Sequence, residues 1–244
     1  MKTKLFLLVL VLASVAPVIA EDKQEKVDDR ITASATVMKE ILGMPEKGIP
    51  RDLLNKANCV IVYPSVKKAA FIVGGSYGRG LITCRRGADF SGHWGAPAMF
   101  ALEGGSFGFQ IGAQATDFVL LVMNESGARS VLSSKVKLGA DASAAAGPVG
   151  RDTSAETDVV LKAEILSYSR AQGLFAGVSL EGSTMRSDDG ANKALYGRDL
   201  SAKDIVRLGK VKPPASSARL LAVLDRASPH HVKVGEGPSG YAGD

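Results

Sequence analysis

The chain has 244 residues, of which 45% are apolar, 23% charged and 6% aromatic, with a net charge of +5. This balance belongs to a globular protein and excludes collagen-like, disordered and disulfide-scaffold classes. The charge is too small for wholesale nucleic-acid binding and suits a local patch that meets an anionic surface.

Residues 1–20 read as a signal peptide. Lys2 and Lys4 precede an apolar run from Leu5 to Ala13, and Val18 and Ala20 hold the small-residue positions of a cleavage site before Glu21. The run is shorter than the ~20 apolar residues of a membrane span, so cleavage and export, to a periplasm, are expected. Export permits a disulfide. Cys59 and Cys84 either pair or pack as two small buried thiols.

Residues 21–30 are polar and charged and read as a frayed N-terminal segment. From Val27 the apolar positions Val27, Ile31, Ala35, Met38, Ile41 and Leu42 recur at helical spacing, and the helix should stop at Gly43, ahead of Pro45. Pro50 opens a short second helix over 51–56. Cys59-Val60-Ile61-Val62-Tyr63 reads as a buried strand ended by Pro64. Beyond Lys67-Lys68 the pattern alternates: Phe71, Val73, Tyr77 and Leu81 share one face, and Gly74, Ser76, Gly78 and Gly80 the other. The phrase Gly74-Gly75-Ser76-Tyr77-Gly78 returns as Gly104-Gly105-Ser106-Phe107-Gly108. A bulky face backed by a nearly bare one predicts that something packs very closely on the bare side.

Further strands are expected over 118–123, 136–144, 157–168 and 174–180, punctuated by Asn124 to Gly127, Gly147-Pro148 and Ala171-Gln172-Gly173. Ser201 and Asp204 have capping-box spacing, and a helix is expected over 217–226. The tail from Ser228 is polar and Gly/Pro-rich and reads as disordered. Together these predict one α+β domain over 31–212. Its core is mostly antiparallel β, barrel-like or two packed sheets, with helices from both termini packed on it and 213–244 as C-terminal helix and tail.

Both glycine phrases match Gly-x-Ser-x-Gly, the spacing of a hydrolase nucleophile elbow. An elbow needs a sharp strand-to-helix turn after the serine, and the sequence continues as strand after Ser76 and Ser106 alike. His93, His230 and His231 are the only histidines, and none is placed by the sequence as a base. No phosphate loop, zinc motif or dinucleotide fingerprint is present, so no catalytic residue, metal or cofactor is assigned. The candidates that remain are basic: Lys67, Lys68, Arg79, Arg85, Arg86 and Arg151 flank or follow the strand-like runs. Gathered at one end of a sheet they would hold phosphate oxygens; left apart they are solvated charges that keep strand ends soluble.

Several long phrases resemble one known family. They are Phe109-Gln110-Ile111-Gly112-Ala113-Gln114-Ala115-Thr116-Asp117, Ala145-Ala146-Gly147-Pro148-Val149-Gly150-Arg151, Leu166-Ser167-Tyr168-Ser169 and Gly173-Leu174-Phe175-Ala176-Gly177-Val178-Ser179-Leu180-Glu181-Gly182-Ser183. They resemble the SYLF domain family, and the likeness runs from the first amphipathic helix to Ala194-Leu195-Tyr196-Gly197. The resemblance implies a non-enzymatic lipid-binding module, associated in eukaryotic members with phosphoinositides, membranes and actin bundling. With a secretory leader and no attached Src-homology-3 or zinc-finger domain, the chain looks like the exported single-domain bacterial branch. That implies anionic phospholipids or phosphorylated envelope lipids as ligands, with actin not expected as the partner of an exported protein. Residues 27–42 would be the counterpart of the helix that touches membranes in some members. The alternative is a structural or protein-interaction module of the cell envelope without a lipid ligand.

Overall fold

A computed structural model of the chain describes residues 2–44, 48–70, 73–107, 112–133, 135–150, 162–171 and 174–232. The chain opens with α1 (Lys2–Leu42) and α2 (Arg51–Lys56). Four long strands follow, β1 (Cys59–Ala70), β2 (Val73–Cys84), β3 (Ala98–Phe107) and β4 (Gly112–Val122). Then come α3 (Glu125–Val131), β5 (Lys135–Lys137), β6 (Ala144–Ala146), β7 (Ile165–Ala171), β8 (Leu174–Gly177) and β9 (Thr184–Ser187). The chain closes with α4 (Asp189–Tyr196), α5 (Ala202–Val206) and, after a 3-10 turn at Ala215–Ser217, α6 (Ala218–Ala227).

The strands form one curled sheet, a half-barrel, in the order β5-β9-β3-β2-β1-β4-β7-β6, with β8 also on β7. All pairings are antiparallel except β6 with β7. The α+β expectation with a β core holds, and a half-barrel replaces the two-sheet alternative. Alternation places Val60 and Val62 of β1 on one face with Val27, Ile31, Met38 and Ile41 of α1 and Leu220 and Leu224 of α6. Cys59, Ile61 and Tyr63 point to the other face, with Val131 of α3 and Ile205 of α5. Each fully buried aliphatic side chain contributes about 1.5–3 kcal/mol, so both sheet faces need their helical cover.

Several expectations change for local reasons. Residues 21–30 are helical and not frayed, because Val27 is buried and Lys26 bridges to Asp22 one turn back. Strand β1 passes through Pro64 and does not end there. Two residues of β1, Pro64 and Ser65, oppose the single Asp117 of β4, which is a β-bulge. Proline fits because no ladder hydrogen bond is required of its missing N–H. The strand expected over 136–144 is cut in two. Gly139 at φ 83° turns the chain, and the Asp141 carboxylate accepts from Lys137 N. That turn sends β5 and β6 to opposite edges of the sheet. The expected strand over 157–168 begins at Ile165 among the described residues, and the one over 174–180 stops at Gly177.

The tail past α6 is docked as far as it is described. Arg85 Nη2 donates to Ser228 O at 2.9 Å and to His230 O at 3.2 Å, and Val232 N donates to Asn55 O. The two cysteines face each other across β1 and β2 as a Cys59–Cys84 disulfide.

Candidate functional site

The bulge shapes the candidate site. Ser65 takes a left-handed backbone, φ 54°, and its N–H donates to Asp117 Oδ1 at 2.8 Å. Around the bulge β1 lies tight against β2, where Gly78 faces Val66 and Gly80 faces Val62 O and the Tyr63 ring. A Cβ on Gly78 would come within 2.4 Å of the Val66 side chain, and one on Gly80 within 2.0 Å of Val62 O. At Gly78 and Gly80 the bare glycine surface is therefore filled by the neighbouring strand, which is packing within the sheet.

Beside this bulge lies an open groove of about 490 Å³, lined by Lys26, Asp29, Arg30, Lys67, Tyr77 and Arg79 together with Pro64 and Ser65. Antiparallel register brings Lys67 opposite Tyr77 and Lys68 opposite Ser76, and α1 supplies Lys26 and Arg30 one helical turn apart. Tyr77 is 43% exposed. Arg79 Nε donates to its phenol at 2.8 Å, and that bond is the main reason the Arg79 guanidinium holds its proton more tightly than usual. Asp188, the N-cap of α4, faces both arginines, 3.5 Å from Arg79 Nε and 4.0 Å from Arg30 Nη1. Burial lowers the Arg30 pKa, with Asp188 opposing the shift. Lys67 is exposed and makes no ion pair among the described residues. Asp29 also lines the groove and Asp22 pairs with Lys26, so the arrangement is a net cationic rim with an aromatic ring at its mouth and internal counter-ions, suited to holding phosphate oxygens.

The six basic residues named from sequence do not form one cluster. Lys67, Lys68 and Arg79 share the bulge end. Arg85 and Arg86 follow Cys84, which pairs with Cys59 eight strand residues away from Lys67, roughly 25 Å at ~3.3 Å per residue. Arg85 is also buried. Its guanidinium lies 4.4 Å from the Trp94 ring and binds the chain after α6, while desolvation lowers its pKa to about 10, still protonated at neutral pH. It is an anchor for the tail and is not available to a headgroup. Arg86 is exposed in the turn after β2, and Arg151 lies outside the described residues. Sequence reasoning missed Lys26, Arg30, Tyr77 and Asp188. The i,i+4 spacing of Lys26 and Arg30 was the available signal for the first two, hidden by reading that stretch as frayed.

Ser76 Oγ donates to Gly104 O at 3.3 Å, and β2 runs on as strand from Ser76 to Cys84, so Ser76 sits in no elbow. The chain just beyond Phe107, next to Ser106, lies outside the described residues. Among the described residues no group of three or more His, Cys, Asp or Glu is placed to hold a metal ion. The apolar stripe of α1 faces the core and not the solvent, and two ion networks hold the helix. One is Arg30–Asp188–Arg79, and the other joins Glu40 to Arg170 and Asp117.

Residues 103–227 match a family described as Ysc84, Las17-binding protein actin regulator. Among curated relatives, an SH3 domain-containing protein of Schizosaccharomyces pombe is 37% identical over 199 residues, which is 80% of this chain and 45% of that protein. LAS seventeen-binding protein 3 of Saccharomyces cerevisiae is 33% identical over 80% of this chain and 42% of its own length. The human SH3 domain-containing YSC84-like protein 1 is 31% identical over 79% and 55%. The chain thus spans about half the length of the curated relatives it matches. The family match takes in Asp117, Arg170 and Asp188 and begins after Lys67 and Arg79.

Proposed function

The chain belongs to the Ysc84 family, the family of its SYLF-like signature, and from that premise we propose that it is a non-enzymatic module binding anionic lipid headgroups at a membrane surface. The observation that carries this reading is the gathering of Lys26, Arg30, Lys67 and Arg79 around one groove by strand register and by α1. Lys67 and Lys26 present exposed ammonium groups, Lys68 adjoins by register, and Arg79 shares its charge between Asp188 and an incoming phosphate. Basic residues near an anionic surface contribute about 1 kcal/mol each, so a patch of this size supports reversible attachment. The reading of residues 1–20 as a leader supports, as part of this proposal, activity outside the cytoplasm in a periplasm. The relatives carry the names of binding proteins and not of enzymes, which agrees with a module that acts by binding.

The test is co-sedimentation with vesicles of phosphatidylcholine alone and of phosphatidylcholine with phosphatidylglycerol. Binding only to the anionic vesicles, lost in Lys67→Glu/Arg79→Glu and kept in Arg86→Glu, is the expected result. Equal binding to both vesicle types, or full binding by the Lys67/Arg79 variant, overturns it. A second reading, a protein-interaction module of the envelope, draws on the Las17-binding description of the family. It requires a protein partner that stays bound in the Lys67/Arg79 variant.

A further inference from the structure

On the sheet face opposite α1, a second groove of about 430 Å³ opens between α3 and α5. It shares no lining residue with the Lys67 groove. Its floor is apolar, made by Ala128 and Leu132 at α3 and by Phe90 in the turn after β2. Arg129, Lys203 and Arg207 stand around it, with Glu125 as the single acid.

The Phe90 ledge is held against its own backbone preference. Phe90 has φ 60°, a left-handed conformation that non-glycine residues seldom adopt, and such strain clusters at binding sites. Arg207 secures it. Its Nη1 and Nη2 donate to Gly87 O and Ala88 O at 2.8 and 2.9 Å, and its guanidinium lies 3.8 Å from the centre of the Phe90 ring. Those carbonyls leave the positive charge of Arg207 unneutralised at the groove wall. Arg129 is held only by Glu125 at 3.1 Å, with both side chains well over half exposed, and an exposed pair of this kind is worth little and is readily exchanged. Lys203 is exposed and makes no ion pair among the described residues.

We infer that this groove is a docking site for an acidic peptide segment of a partner protein. An apolar side chain rests against Leu132, the part-exposed apolar residue of the lining, over a base closed by buried Phe90 and Ala128, and flanking carboxylates pair with Lys203 and Arg129. The volume lies in the range that encloses a few side chains, and three cations against one carboxylate select an acidic occupant. A flat anionic membrane fits less well. The hollow that continues past Leu132 and Ser133 carries Asp189 and an Asp199 already paired with Lys193, so the positive wall ends there and does not extend into a broad basic face.

The probe is the peptide acetyl-Asp-Leu-Asp-Leu-Asp-amide titrated into the ¹⁵N-labelled full chain, with a twin carrying Lys for Asp as control. Saturable amide shifts confined to 125–133, 202–208 and the Phe90 turn are expected from the acidic peptide alone. Affinity should fall about tenfold or more in Lys203→Glu/Arg129→Glu, with a smaller loss in the milder Lys203→Ala. No saturable shift up to about 1 mM, shifts mapping to the Lys67 groove, or equal affinity in the charge-reversed protein would each overturn the inference. So would phosphatidylglycerol vesicles perturbing these same amides, which would make the face a lipid surface. The double variant should keep wild-type vesicle co-sedimentation, so failure here is separable from failure of the lipid reading.

Discussion

Ser65 gives its backbone N–H to the carboxylate of Asp117 across 52 residues of chain, and the same carboxylate receives Arg170 Nε at 2.6 Å. Through Arg170, Asp117 is tied to Glu40 on α1. One side chain therefore fixes the bulge in β1, the position of the N-terminal helix and the Ser65 side of the Lys67 groove.

Removing that side chain should cost more than muting it. Asp117→Ala leaves the Ser65 N–H unpaired and a largely buried Arg170 with Glu40 as its remaining carboxylate, a loss of about 1–3 kcal/mol. Asp117→Asn keeps an acceptor for Ser65 and should lose less. Urea denaturation of the two variants gives the order, and an alanine variant as stable as the parent would show that the bulge stands without Asp117.

The glycines of β2 separate into two kinds by the space around them. Gly80→Ala drives a methyl into Val62 O and should destabilise by about 2 kcal/mol or more. The nearest atom to a Cβ on Gly75 is 3.9 Å away, and Gly75→Ala should be neutral or gain up to about 0.5 kcal/mol through the unfolded chain. Thermal unfolding of both variants checks this. Equal losses would mean that β2 demands glycine on both of its faces.

The disulfide closes a sequence separation of 25 residues. Loop entropy for that length gives roughly 3.5 kcal/mol as an upper figure, and Arg85 N already bonds Asn58 O beside it. The Cys59→Ala/Cys84→Ala protein should fold with a Tm lowered by roughly 5–10 °C. Both cysteines are fully buried, so thiol reductants should act on the native protein only as fast as it opens. Rapid reduction without loss of structure would contradict that placement.

Asp204 closes the capping box of α5 with Ser201 and also meets Lys210 at 2.6 Å. The Lys210 contact, then the Ser201 bonds, hold its pKa down at about 2 against an ordinary 3.8. A carboxyl lowered in the folded state stabilises fully above its unfolded pKa, and the contribution is lost as pH falls from about 4 through about 2. The Asp204 carboxyl carbon should titrate near 2 by NMR, moving toward 3.8 in Lys210→Ala. An ordinary midpoint in the parent protein would show that the box is open in solution.

Much of this architecture was readable residue by residue. The stripe from Val27 to Leu42, the stop at Gly43, the capping box at Ser201 and the helix near 217–226 depend on neighbours three or four positions away, and each is found in place. Asp188 as a counter-ion was not readable, since its partners Arg30 and Arg79 are more than a hundred positions distant. Nor was the burial of Arg85, which follows from Ser228 and His230 closing over it. Pro64 was misread because a proline ends an ordinary strand, and only a carboxylate from another strand makes the bulge that accommodates it.

The sequence by itself determined the class of the fold, the amphipathic cover at both termini, the glycine-lined strands and the supply of basic side chains, because these are set by short-range periodicity and composition. Tertiary structure alone decided which cations share a groove. Strand register put Lys67 beside Tyr77 and sent Arg85 to the far end of the same pair of strands. The packing of α1 then added Lys26 and Arg30, a juxtaposition that long-range pairing creates and that no local pattern encodes.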